Sequence, residues 1–408
     1  MEDPGPEGPG VRRGAAAIAV LAAACAGVPG ASAETFRETF GDRPITRPIG
    51  DALADSIGHA LPITAASAGV TFSFNKATHA WDRETDILGQ LYLERPRPLG
   101  RGKLNLSVSY QWVRIDTVDS QDLDRLSDTR FPIVDPKNGR LFTVPRFGLD
   151  LETHQVTTSV TYGVTDDLDL NLTIPILYSS LDFDGILRDR GILRDGRILR
   201  DNHTGQEQRA HVRSSKTGPG DIFLRGKYRL LHGAWGDLAA GLVLRAPAGN
   251  QDNFQGTGTW EPAPMLYAAT PSLSLGHGVG LQAYANGGVE LNGSAVDQSA
   301  GRFGLGLDCA VKERFTAAVA FLGREPFEGI APPGFFDVAR VAPRTGQRFT
   351  APVLGLERER ASTYDLSLGG RVNLWRDTVF GFANVILPLN RDGFRSDVIP
   401  LVGVEAAF

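Results

Sequence analysis

Seven histidines supply the chain's few neutral-pH bases, and each needs a partner before it can do chemistry. His154 falls near the outer end of an alternating stretch, on its apolar face, with Thr158 further along that face. A serine beside it would suit acyl hydrolysis of a membrane lipid. No serine shares the face, and a structural histidine is the better reading. His203 and His211 stand in a long polar segment without cysteine or carboxylate at metal-ligand spacing, which fits solvated side chains. Gly256-Thr257-Gly258, inside Gly249 to Gly258, precedes no helix, so it reads as turn chemistry and not as a phosphate cradle. The expectation is a protein that is not an enzyme, with no catalytic residue, no cofactor and no metal.

A second set of polar residues is defined by parity. Asp169, Asn171, Arg225, Lys227, Arg229, Gln282, Glu290, Asp308, Asp365, Arg371 and Glu405 fall on the wet face of alternating segments, joined by Phe223, Tyr284, Phe380 and Phe382. Between Asp167 and Ile176 every odd position is polar or proline and every even one a large aliphatic. The same alternation runs through 103–112, 155–162, 221–230, 302–312 and 363–374. Such a pattern specifies strands with one wet and one greasy face. Full charges cannot fill a dry sandwich core, whereas a transmembrane barrel turns the greasy face to lipid and the charged face to a watery lumen. These residues are therefore expected to line a lumen, either neutralising one another as a structural network or touching a solute directly. The aromatics among them would suit a weakly polar, ring-bearing solute.

Short and long connections alternate along the chain, as in barrels that separate turns from external loops. Short ones fall at 165–167, 232–236, 277–278, 312–314 and 375–377; longer polar segments, expected to be external loops, span about 117–147, 182–219, 247–259, 292–301, 324–361 and 389–396. The expected fold is all-β: a single antiparallel barrel over 101–408 of about 12 strands, or 14 if an early hairpin near 69–94 joins. Tyr110, Trp112, Tyr162, Tyr228 and Tyr364 lie near strand ends, where interfacial girdles form. Ahead of the barrel, 34–100 reads as a periplasmic or luminal leader or plug, with apolar residues at helical spacing over 51–61. Arg12-Arg13, the apolar run from Ala15 to about Val28 and Ala31-Ser32-Ala33 read as a signal peptide over 1–33, cut between Ala33 and Glu34; the acidic 1–10 suggests that translation begins at Val11. With Cys25 inside that signal, Cys309 is alone and forms no internal disulfide. In 408 residues, 42% hydrophobic and 22% charged, the formal charge of -5 leaves no basic surplus, so nucleic acid is not an expected partner.

Ile-Leu-Arg-Asp recurs at Ile186, Ile192 and Ile198, which fits slipped duplication in a tolerant loop. The runs Gly218-Pro219-Gly220-Asp221-Ile222-Phe223-Leu224-Arg225-Gly226-Lys227-Tyr228-Arg229, Leu244-Arg245-Ala246-Pro247-Ala248-Gly249 and Gly256-Thr257-Gly258 resemble a bacterial outer-membrane family described as transporters of the meta-cleavage pathway of phenol degradation. Tyr162 to Leu170, ahead of Ile174-Pro175, is similar to it in style, and Ala248 stands where the family usually has threonine. The resemblance implies an outer-membrane barrel passing small hydrophobic or aromatic solutes. Phe408, closing the alternation Val398, Pro400, Val402, Val404, Ala406, is similar to the signature read by the barrel assembly machinery. The expected partners are outer-membrane lipids, that machinery and the solute. A sealed surface-interaction barrel is the alternative, and a lipid hydrolase a third.

Overall fold

Strands form where the alternation predicts them, and several run far past it. The computed structural model describes residues 35–39, 53–54, 56–66, 72–75, 80–83, 87–89 and 91–408, the last range apart from 119, 124–130, 135–139, 195–196, 313, 328–332, 342–347, 359–360 and 376. The expected signal peptide and its cleavage site at Ala33 and Glu34 lie outside the described residues.

The barrel strands are β1 (Leu104–Arg114), β2 (Arg140–Gly163), β3 (Leu168–Arg194), β4 (Ile222–Gly233), β5 (Gly236–Ala246), β6 (Glu261–Ala269), β7 (Val279–Glu290), β8 (Ala300–Val311), β9 (Phe315–Pro326), β10 (Thr363–Trp375), β11 (Val379–Pro388) and β12 (Ile399–Ala407). Each pairs antiparallel with the next, and β12 returns to β1 through Leu401↔Gln111 to Ala407↔Asn105, which closes a ring of 12 strands. Beyond this register Phe408 and Leu104 exchange backbone hydrogen bonds of 2.8 and 3.0 Å. A closed ladder satisfies every interior strand without leaving an edge. Of the expected early hairpin, Phe72–Asn75 pairs instead with Ala80–Arg83 and, among the described residues, this pair joins no strand of the ring, so the count is 12 and not 14.

Outside the ring the aliphatic positions are uncovered: Leu106, Val108, Leu170, Leu172, Leu224, Leu242, Leu266, Leu305, Leu307, Leu368, Val402 and Val404 are all exposed large hydrophobics. Tyr110 and Tyr178 lie nearer the end that carries the long connections, Tyr162, Tyr228, Trp235 and Trp375 nearer the end with short turns. The outer wall is thus an apolar belt bordered by aromatic rings.

Two of the expected external loops are instead largely sheet. β2 begins at Arg140 and β3 continues to Arg194, while Glu207–Pro219 pairs back onto β3 from Glu207↔Arg188 to Pro219↔Ile176. Dense charge in 182–219 reads as loop, yet the alternation continues beneath it: Leu181, Phe183 and Leu187 are buried, and the other face is held by Arg213 to Asp182 at 2.5 Å and Arg146 to Asp184 at 3.3 Å. A sheet projecting into water needs only one greasy face. Only the first copy of the hexapeptide keeps this packing: Leu187 packs inward and Arg188 pairs with Glu207, whereas Leu199 of the third copy is exposed. The third copy folds back as Arg197–Leu199 against Ile192–Arg194. The segment 324–361 likewise carries a hairpin, Pro333–Val341 with Arg348–Arg358.

At the tip of this projection Arg140 bridges Asp189 and Asp201. The Arg140 guanidinium, by its side-chain hydrogen bond, holds the Asp201 carboxyl well below its usual value of 3.8. A depressed carboxylate stabilises the fold fully above its unfolded value and loses that contribution as pH falls toward the folded one. Exchange of the Gly205 and His203 amides, bonded to Asp189 O and Asp201 Oδ1, should therefore accelerate below about pH 4, beyond the intrinsic pH trend, and Arg140→Gln should abolish the dependence.

Candidate functional site

The inward side chains meet an irregular segment of the same chain. Residues 87–89 and 91–99 run along the lumen wall with Leu88 against Phe380, Leu91 against Phe382 and Leu401, and Leu93 against Tyr284, Ala269 and Ala320. Polar contacts fix the path. Leu88 N donates to Thr316 Oγ1 at 3.0 Å, Leu99 N donates to both Asp169 oxygens at 2.9 and 3.0 Å, and Arg97 pairs with Asp237 at 2.6 Å. Further along, Gln111 Nε2 donates to Pro62 O, Arg225 to Thr64 O and Thr161 to Ala66 O. At the long-connection end, helical Leu53, Ala54 and Ile57 join Phe36, Phe254 and the buried face of the projecting sheet in one apolar core.

Each residue picked out by parity lies on the inner side of its strand, and nearly all of them have protein partners. Asp169 lies 3.7 Å from Lys227, which also approaches Glu94 at 3.9 Å. Arg371 and Glu405 form a buried pair at 2.9 Å, with the guanidinium over the Phe382 ring. Glu290 receives Arg302 at 3.0 Å and Arg324 at 2.9 Å, Asp365 pairs with Arg395, and Arg229 with Asp167 at 2.7 Å. Gln282 accepts from the Tyr284 hydroxyl and donates to Thr270 O. Asp308 is fully buried. Asn171 donates to Ser159 and Thr161 and accepts from Arg225.

Within this packing is a cavity of about 270 Å3 whose wall includes Tyr92, Phe223, Arg225, Tyr267, Glu290 and Arg302. At its edge His59 of the leader and Glu261 are 2.7 Å apart, and with Glu290 they bring three ligand-type atoms within 4.8 Å. Both carboxylates are already engaged by arginines, Glu261 by Arg245 at 3.4 Å and Glu290 by Arg302 and Arg324. A divalent cation there would have to displace guanidinium groups, so the donor set suits an ion-pair network better than a metal.

One functional-looking pattern has a purely structural solution that the sequence did not reveal. The carboxylate of Asp221 accepts from Gly249 N at 3.0 Å, Thr257 N at 2.8 Å, Thr257 Oγ1 at 3.1 Å and Arg245 Nε at 2.7 Å. The three separated runs around Asp221, Arg245 to Gly249 and Gly256 to Gly258 thereby converge on a single buried group. A Cβ on Gly249 would sit 2.2 Å from Gln255 O, and one on Gly256 2.4 Å from Asp221 Oδ1, so the glycines answer to close backbone approach. Arg245 carries the junction onward to Glu261 and to Gly58 O at 2.7 Å. Position 248 makes its backbone bond to Ala246 O without needing a hydroxyl.

On the outer wall, His154 Nδ1 lies 2.7 Å from the Tyr110 hydroxyl and its ring packs near Tyr178. Tyrosines, not a serine, flank it.

No protein-family model matches the chain, and no curated protein matches it. Among solved structures, it is similar to an outer membrane channel from Pseudomonas putida F1, at 14% identity and a TM-score of 0.45, over 78% of this chain and 100% of that one. It is also similar to a Pseudomonas aeruginosa FadL homologue, at 12% identity and 0.30, over 76% of this chain and 90% of that one. LpxR from Salmonella typhimurium shows 10% identity and 0.32, over 75% and 99%. At such identities and scores these likenesses do not bear on what the barrel carries.

Proposed function

We propose that this protein is an outer-membrane channel that passes small, weakly polar solutes passively through its lumen, with the leader setting the constriction. The observation that carries the reading is the closed ring itself: apolar and uncovered outside, charged and aromatic inside, with a cavity of about 270 Å3 in the lumen. An uncovered belt of this extent calls for lipid as its solvent. Selection would act through width, luminal charge and the external sheets, with no covalent step. The signal at 1–33, recognition of Phe408 by the assembly machinery and kinship with the meta-cleavage family belong to the same proposal.

Planar-bilayer recording on the mature chain tests it. Discrete conductance steps support a channel; silence at all voltages would reject it. The luminal packing of 87–99 favours a second reading, a sealed surface barrel, which predicts that silence.

Placement in lipid has its own check. Leu305 is 60% exposed near the middle of β8. Leu305→Arg should cost about 2–4 kcal/mol in urea unfolding from vesicles if the belt faces the bilayer midplane. A change within about 0.5 kcal/mol, as at an ordinary wet surface, would contradict that placement.

A further inference from the structure

The cavity wall holds one cation whose hydrogen bonds all go to neutral oxygens. Arg225 donates to Asn171 Oδ1 at 3.0 Å, Thr173 Oγ1 at 2.9 Å and Thr64 O at 3.2 Å, and among the described residues no carboxylate lies within ion-pair distance of it. The neighbouring cavity arginines differ. Arg245 has Asp221 and Glu261, Arg302 and Arg324 share Glu290, and Arg395 has Asp365. With neutral dipoles at contact and only the Glu94 carboxylate, also in the cavity wall, acting on it from longer range, this guanidinium withdrawn from bulk water is incompletely compensated, and a bound anion would complete the compensation.

Its surroundings say what kind of anion. The Arg225 guanidinium carbon lies 5.3 Å from the Phe223 ring centroid, and that of Arg245 lies 5.4 Å from the same ring. Phe223 is opposite Arg245 in the β4–β5 ladder, one inward position from Arg225, so the ring and the under-compensated cation share one side of the cavity. Tyr267 and Tyr92 add aromatic wall. Pockets for drug-sized ligands run to about 300–1,000 Å3, so a space of about 270 Å3 suits a solute of one ring.

We propose that this cavity binds an aromatic monocarboxylate, with the carboxylate on Arg225 and the ring packed on Phe223. This rests on reading the lumen as a solute path, and it names the solute's charge and shape. A carboxylate meets the guanidinium through charge-assisted bonds that a neutral alcohol cannot make, and the ring gains apolar burial that acetate cannot.

Calorimetric titration of the full mature chain in detergent micelles tests the site independently of conduction, using benzoate, benzyl alcohol and acetate as probes against protein-free micelles. Benzoate should bind about tenfold more tightly than either of the others, about one charge-assisted bond or one buried ring. Arg225→Gln should remove the advantage over benzyl alcohol, Arg225→Lys should keep part of it, and Phe223→Leu should reduce the advantage over acetate alone. Equal affinity for benzoate and benzyl alcohol, an unchanged ratio in Arg225→Gln, or acetate binding as tightly as benzoate would each overturn the proposal. Benzoate binding by a chain silent in bilayers would overturn the channel reading and leave the site; a conducting chain that fails to distinguish the probes would do the reverse.

Discussion

Deleting residues 35–98 should raise the single-channel conductance of the reconstituted barrel several-fold while the ring stays closed. Among the described residues the 12-strand ladder draws none of its pairing from this segment, so its backbone bonds should survive the deletion. The segment does fill the lumen, through Leu88 on Phe380, Leu91 on Phe382 and Leu93 on Tyr284. Burying a leucine contributes roughly 1.5–3 kcal/mol, an upper value against a compact unfolded chain, and this is enough to hold the segment in place against thermal escape. Without it the inner wall would be lined by water, and the ions that carry current would meet a wider path. Circular dichroism should retain the β signature. An unchanged conductance in a folded deletion variant would show that the leader does not obstruct the pore.

Replacing Asp221 should be the most damaging single substitution outside the ladder. Its carboxylate gathers four donors, including the Arg245 guanidinium, and its side chain is wholly buried. Asp221→Ala would leave two backbone amides unsatisfied and remove one of two carboxylates that balance Arg245. Breaking a buried pair from one side costs about 3–5 kcal/mol, read as a lower urea midpoint for unfolding from micelles. Asp221→Asn retains the shape and some acceptor capacity, so it should fall between wild type and alanine. Gly249→Ala should be comparably harmful, because its methyl would meet Gln255 O at 2.2 Å. Since Arg245 also holds Gly58 O, loosening the junction should speed hydrogen exchange in 56–66 before the barrel itself opens. Protection of 56–66 equal to wild type in Asp221→Ala would detach the leader from this junction.

Alternation by itself determined that 167–176 and 363–374 would be strands, which face of each would be polar, and that the ring would count about 12. It could do so because side-chain direction in a strand has a period of two, a property of the local backbone. It did not locate the ends of the strands facing water. There Arg146, Asp182, Asp184 and Arg213 occupy a sheet face as comfortably as a loop, and charge density carries no signal to separate the two.

The sequence also left open whether the luminal charges serve one another or a solute, and whether the leader enters the barrel. Those answers depend on pairs far apart in the chain. Asp169 meets Leu99, Glu290 meets Arg324, and Asp221 draws in Gly249 and Thr257. Parity states that a side chain points inward; only the closed ring decides what stands opposite it. Arg225 is the clearest case, equal to its neighbours in the sequence and distinguished by tertiary structure alone, because its hydrogen-bond partners there are all neutral.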